Sequence, residues 1–190
     1  MKTALLFTLL FALFTLPAHA TTIEQRVEQS RTVVKDFMGS LKHELKSAIK
    51  NDGAVAAIRV CNISAPLIAK KQSQLHNMEV RRTSLKVRNP DNAPDSWEKS
   101  ILDDFEKRKA MGEPIKKMEH FETVTENGEQ WFRYMKAIPT AKKPCLLCHG
   151  SNLKPAITAT LDKLYPQDQA KGFKPGDIRG AFTFRQRIEP

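Results

Sequence analysis

The 190-residue sequence predicts an α+β fold, a single antiparallel sheet with flanking helices packed on it and a long helix at the front of the order. Three observations carry this expectation. Apolar residues recur every three to four positions over residues 23–49. An Asn-Gly pair, Asn127-Gly128, lies between two runs of aromatic and branched residues in 117–138. The segments 80–87 ("VRRTSLKV") and "GDIRGAFTFRQRI" at the end of the chain have the composition of strands.

The first 20 residues read as a secretory signal peptide, not as part of the fold. Lys2 precedes an apolar run from Ala4 to Leu16, and Ala18-His19-Ala20 supplies the small-x-small cleavage pattern. The run is roughly 13 residues, short of the roughly 20 that span a bilayer. The expectation is export to the periplasm, cleavage after Ala20, no membrane span in the mature chain and one soluble domain over residues 21–190.

Each element follows from local chemistry. In residues 23–49, Ile23, Val27, Val34, Phe37, Leu41, Leu45 and Ala48 form an apolar stripe, which Asn51-Asp52-Gly53 ends. A second helical segment starts near Ala54, with Ala57, Ile58, Cys61, Ala65 and Ile68 roughly on one face. Pro66 is expected to break or restart it, with Ser64 as the cap. Residues 80–87 form a strand that Arg88-Asn89-Pro90 ends, and "NPDNAP" is turn chemistry. Asp95, with Glu98 three residues on, opens a helix that runs to about Ala110. The hairpin follows, then a helix near 155–165 and the final strand. Trp97, Phe121, Trp131, Phe132 and Tyr134 are candidate core residues.

The chemistry concentrates in "CLLCH", Cys145 to His149. The C-x-x-C-H spacing marks covalent attachment of c-type haem. Two thiols separated by two residues add to the haem vinyl groups from one short turn, and the adjacent His is directed at the iron. A thioredoxin-like pair would favour a helix start in a βαβ unit, whereas this motif follows a hairpin. A zinc site would need a second ligand pair at ligand spacing. A disulfide closing so small a loop adds little stability. The motif also lies in the C-terminal third, after strands, unlike that of a small all-helical cytochrome.

Iron bound by one His needs a second ligand or an open site. Met38, Met78, Met111, Met118, Met135, His43, His76, His120 and Cys61 are the candidates. The methionines read as core fillers and His43 and His76 as surface residues, while the side of His120 depends on strand register. Cys61 is the odd thiol of three, a liability in an oxidising compartment unless buried or bound. Its residue type alone leaves burial and coordination equally open.

"VCNISAPLIA", "RRTSLKVRNPDNAPDSWE", "PCLLCHG" and "GDIRGAFTF" together resemble a family of exported bacterial c-haem proteins, long filed as a domain of unknown function, with a cyanobacterial member associated with photosystem preparations. The four motifs cover most of residues 55–188 in the family's order. The resemblance implies a PAS-like fold, with one haem c held by Cys145 and Cys148 and with His149 and Cys61 as axial ligands. No departure occurs at those four positions. It implies no settled activity.

Composition narrows the partners. Lys and Arg number 31 against 21 Asp and Glu, a net charge of +10. An exported protein rarely meets nucleic acid, and the bases follow no single tract, so an acidic redox or signalling protein, or an anionic cofactor, is the expected counterpart. Strand alternation sends Arg82, Lys86 and Arg88 to one face and Arg81 to the other. Arg82 and Arg88 are then candidates to hold haem propionates. The first functional expectation is a mono-haem protein that passes one electron. The alternative is a redox or gas (CO or NO) sensor in which Cys61 is a releasable ligand. An enzyme, such as a peroxidase or nitrogen-oxide reductase, is not expected, since it would want an open iron face with acid–base groups.

Overall fold

In the computed structural model, which describes residues 21–189, the chain begins with α1 (Ile23–Asp52), a helix of 30 residues. The expected leader, residues 1–20, lies outside the described residues. Thr22 caps α1 reciprocally with Gln25: the Gln25 amide donates to Thr22 Oγ1 at 3.2 Å, and the Thr22 amide donates to Gln25 Oε1 at 2.8 Å. Gly53, at φ +82°, ends it.

Next come α2 (Ala54–Arg59), a π-helical turn (Val60–Ser64) and α3 (Ala65–His76). The chain does not break at Pro66; the α-helix restarts at Ala65, and Ser64 makes no capping bond. The extra residue of the π turn lets the Ala65 amide reach back to the Val60 carbonyl. Pro66 then falls in the first turn of α3, where a missing N–H costs nothing. Asn77, at φ +48°, closes α3 in the left-handed conformation.

The first strand, β1 (Glu79–Thr83), is shorter than the expected 80–87. Thr83 Oγ1 donates to the Asn92 carbonyl, and Ser84 Oγ donates to the Arg179 carbonyl at 2.8 Å. These bonds turn the chain away from the ladder, so alternation stops applying before Lys86 and Arg88. Asp95 and Glu98 cap α4 (Ser96–Ala110) as expected. The hairpin β2 (Glu119–Glu126) and β3 (Glu129–Pro139) turns at Asn127 and Gly128, both at positive φ. A single helical turn, α5 (Leu146–His149), precedes α6 (Pro155–Leu164) and β4 (Ile178–Arg187).

All neighbouring strands are antiparallel, in the order β1-β4-β3-β2, so the final strand inserts between the first strand and the hairpin. This is the α+β arrangement expected from the sequence. Helices cover both faces. Val80, Phe132, Tyr134, Phe182 and Phe184 pack against Val27, Val33, Phe37 and Leu41 of α1. Met118, Met135, Ala137 and Ala181 pack against Ile101, Leu102 and Phe105 of α4. Full burial of a side chain such as Phe37 or Phe182 stabilises by about 1.5–3 kcal/mol.

Phe121 departs from its expected place in the core: on the edge strand β2 it is 42% exposed. Trp97 and Trp131 are half-buried beneath guanidinium groups, with Arg133 at 4.1 Å and Arg185 at 3.8 Å from the ring centres. Phe132 and Tyr134 are buried as expected. Among the described residues, no helix is long and apolar enough to cross a membrane.

Candidate functional site

A third apolar cluster, Ile58, Ile157, Leu161 and Tyr165, joins α2 to α6, and Cys148 packs against it. This cluster sets the C-x-x-C-H turn beside the π turn. The Cys145 carbonyl accepts from the amides of both Cys148 (3.2 Å) and His149 (2.9 Å), winding the motif into one helical turn. Cys145 and Cys148 thus stand three residues apart on that turn, and no disulfide joins them. Gly150 ends it, and only glycine fits there: a Cβ would stand 2.7 Å from the Leu146 carbonyl oxygen. The Phe173 amide donates to the His149 carbonyl at 2.9 Å and the Gly172 amide to that of Gly150 at 3.1 Å, strapping the turn to the 170–173 segment.

The His149 ring is oriented by its surroundings. Nδ1 lies 2.8 Å from the Ala170 carbonyl, which can only accept, so Nδ1 carries the proton. Nε2 is then the bare lone pair, with Arg179 Nε donating toward it at 3.4 Å. Burial, with Arg179 and Arg88 nearby, holds the imidazole well below its usual titration range and keeps it neutral. A neutral imidazole with Nδ1–H tied to a carbonyl is the form that coordinates a metal through Nε2.

Cys61 lies in the π turn, half-buried. It lies near the motif: burial first, and then the neighbouring Cys61, push the Cys148 thiol up to about 11. The next residue, Asn62, donates to the Tyr165 hydroxyl at 3.0 Å, anchoring the π turn to the chain after α6. The other candidate ligands lie elsewhere. Met118 and Met135 fill the core beneath α4, Met78 packs in the α1 core, and Met111 is 79% exposed. His43 is exposed on α1, and His76 ends α3. His120 Nε2 sits 3.1 Å from Glu122 on β2.

Three arginines converge on the site. Arg88 is buried: Nη2 lies 3.0 Å from Asp168 Oδ2 and donates to the carbonyls of Cys148 (2.6 Å) and Ala170 (3.1 Å). Its Nε has no partner. Arg82 lies over the Phe37 ring at 5.4 Å, and no carboxylate among the described residues pairs with it. Burial lowers its guanidinium, while Cys61 and Tyr165 act in the opposite direction. Arg179, which composition did not single out, donates to Ser84 Oγ and the Lys86 carbonyl. Burial and the like charges of Arg88 and Arg82 push it down to about 10. Its signal was the Arg inside "GDIRGAFTF", carried to the motif by the insertion of β4.

A macrocycle with two carboxylates matches this chemistry. Two thiols stand on one turn, an imidazole presents a bare nitrogen, a third thiol adjoins them, and of the three crowded guanidiniums only that of Arg88 is ion-paired with a carboxylate, Asp168, among the described residues. Arg82 and Arg179 supply positive charge that an anion would neutralise.

The fold resembles that of a solved protein, the crystal structure of the cyanobacterial heme-protein Tll0287, at a TM-score of 0.68 and 20% identity. The match covers 88% of this chain and 98% of the other. No curated protein matches significantly. The profile of the Tll0287-like family matches residues 17–186, nearly the whole sequence, and the chain belongs to that family.

Proposed function

We propose that the protein is a periplasmic mono-haem c-type cytochrome that transfers single electrons and is not an enzyme. Cys145 and Cys148 would hold the haem through thioether bonds, His149 Nε2 and Cys61 would ligate its iron, and Arg82 would pair with a propionate. The observation that carries this reading is the meeting of Cys61, on its π turn, with a C-x-x-C-H turn whose His149 Nε2 is freed by the Nδ1–Ala170 bond. The relationship to a solved heme-protein supports it.

When bound, the haem would supply one-electron Fe(III)/Fe(II) chemistry. This chain's residues do the rest. Ala170 fixes the His149 tautomer, and Arg88 ties the C-x-x-C-H turn to the 168–170 segment through Cys148, Ala170 and Asp168. An anionic Cys61 ligand would favour Fe(III) and a low potential.

The test is a set of absorption spectra of protein expressed with haem-maturation machinery, in the ferric, ferrous and ferrous-plus-CO states. Low-spin ferric haem with a near-infrared thiolate band, lost in Cys61→Ser, is expected. A high-spin ferric spectrum unchanged in Cys61→Ser overturns the ligation.

One observation favours the sensor as a second reading. Cys61 sits in a π turn, a one-residue irregularity of the kind found at functional sites. Rapid CO binding to the ferrous protein, with loss of the thiolate signature, would select that reading.

A further inference from the structure

The segment 165–170 is bonded to both sides of the candidate iron site. At one end the Tyr165 hydroxyl accepts from Asn62 Nδ2 at 3.0 Å, and Asn62 is the residue after Cys61. At the other end the Ala170 carbonyl accepts from His149 Nδ1 at 2.8 Å. Two bonds link these ends. The Asp168 amide donates to the Tyr165 carbonyl at 3.0 Å, and the Ala170 amide donates to Asp168 Oδ1 at 2.8 Å. Asp168 is itself paired with Arg88. A connected set of hydrogen bonds therefore joins the turn that carries Cys61 to the ring of His149.

Packing makes Tyr165 the fixed point of that set. It is 6% exposed and lies in the cluster of Ile58, Ile157 and Leu161, against which Cys148 packs. Cys61 stands between two anchors of its own turn. Val60, before it, is buried in the core beneath α1. Asn62, after it, is tied to Tyr165, and this is the one side-chain hydrogen bond that Val60–Ser64 makes among the described residues. Without it, Cys61 would be held from the Val60 side alone. Burial raises the Tyr165 phenol, the bond from Asn62 opposes that, and Cys61 adds to the rise, so the thiol and the phenol are neighbours.

We propose that Tyr165 is a positioning residue for Cys61: its hydroxyl, through Asn62, holds the π turn against the C-x-x-C-H side and sets how readily Cys61 leaves the site. The inference rests on the haem reading above for one of its two readouts. It deepens that reading by naming what decides between a permanent and a releasable ligand.

Tyr165→Phe removes the hydroxyl and keeps the ring in its cluster, and Asn62→Ala removes the donor. One such bond is worth up to about tenfold in the equilibrium between the held and the loosened turn. Amide hydrogen exchange at residues 61–65 of the purified protein reads that equilibrium whether or not haem is present. It should quicken about three- to tenfold in either variant. The double variant should exceed neither single by more than about twofold, because both substitutions remove one bond. In holoprotein that shows the thiolate band, CO binding to the ferrous haem should quicken by the same factor, since only the loosened turn frees the iron. Thr22→Ala, which removes the cap of α1, should stay within about twofold on both readouts. A general loss of stability would instead move all three variants alike.

Unchanged exchange at 61–65 in Tyr165→Phe, additive effects of the two substitutions, or equal acceleration in Thr22→Ala would overturn the proposal. So would faster exchange with an unchanged CO rate, which would assign the bond to the turn and not to its cysteine. If Tyr165→Phe does not fold, Asn62→Ala decides by the same criteria. If the parent holoprotein lacks the thiolate band, the Cys61 ligation fails, and the exchange rates alone decide the positioning role.

Discussion

Replacing Arg88 by Met isolates the clamp that holds the C-x-x-C-H turn in place. Arg88 is 7% exposed and the Asp168 side chain 1%, with 3.0 Å between their charged atoms. Arg88→Met leaves the Asp168 carboxylate buried without its cation, a loss of about 3–5 kcal/mol. The carbonyls of Cys148 and Ala170 lose their donor in the same step. For a chain of this length each kcal/mol lowers Tm by about 2–4 °C, so the melting temperature falls by roughly 6–20 °C. Much of that cost is the stranded carboxylate rather than the lost pair. Arg88→Met/Asp168→Leu, which removes both charges, is therefore more stable than Arg88→Met. Thermal and urea denaturation of matched preparations reads both quantities. A loss below about 1 kcal/mol in the single variant, or a double variant less stable than the single, would refute the reasoning.

Three further outcomes are expected. In β4, Gly180 sits at φ +150° with the Thr83 carbonyl 2.2 Å from where a Cβ would stand, so Gly180→Ala separates β1 from β4 and costs about 3 kcal/mol or more. Gly176→Ala, at φ +84° in open space, costs only about 1–2 kcal/mol in the same denaturation assay. Thr22→Ala removes the α1 capping box and lowers stability by about 1 kcal/mol, whereas Thr22→Ser retains most of it. Burial raises the Glu119 carboxyl, but its bonds from Arg31 and Tyr134, and the charge of Lys136, outweigh that and hold it below the usual glutamate range. A depressed carboxyl contributes stability above its unfolded pKa and loses it as pH falls through the folded one. Glu119→Gln should therefore flatten the acid limb of a stability-against-pH curve, and an unchanged limb would count against that assignment.

Local signals made much of the fold legible. The α1 stripe, the Asp95–Glu98 capping box and the Asn127-Gly128 turn each act within a few residues, and each element forms as the sequence predicts. The differences arise where long-range geometry decides. Pro66 reads as a breaker because nothing local announces a π turn, which absorbs it by one extra residue. The segment 80–87 has strand composition throughout, yet Ser84 bonds to Arg179, 95 residues away, and the ladder ends at Thr83. Phe121 is apolar enough for the core but falls on the edge strand β2, where one side of the ladder is open.

The site shows the same division. The C-x-x-C-H turn and His149 announce themselves by spacing alone. Composition left Cys61 undecided, and only the meeting of α2 and α6 brings it to the motif. Arg82 reaches the site as strand alternation suggests, but Arg88 arrives through the loop after β1 and is bound by Asp168 and two carbonyls. Arg179 and Tyr165 could not be singled out from composition. One depends on β4 inserting beside β1, the other on a bond to Asn62 across 103 residues.

The central claim is that haem is covalently held at Cys145 and Cys148. Acid–acetone extraction of protein matured with haem-attachment machinery tests it most directly. All haem should remain with the polypeptide, and Cys145→Ser/Cys148→Ser should release whatever it retains to the organic phase. Complete transfer of haem to the organic phase from the unaltered protein would contradict the account.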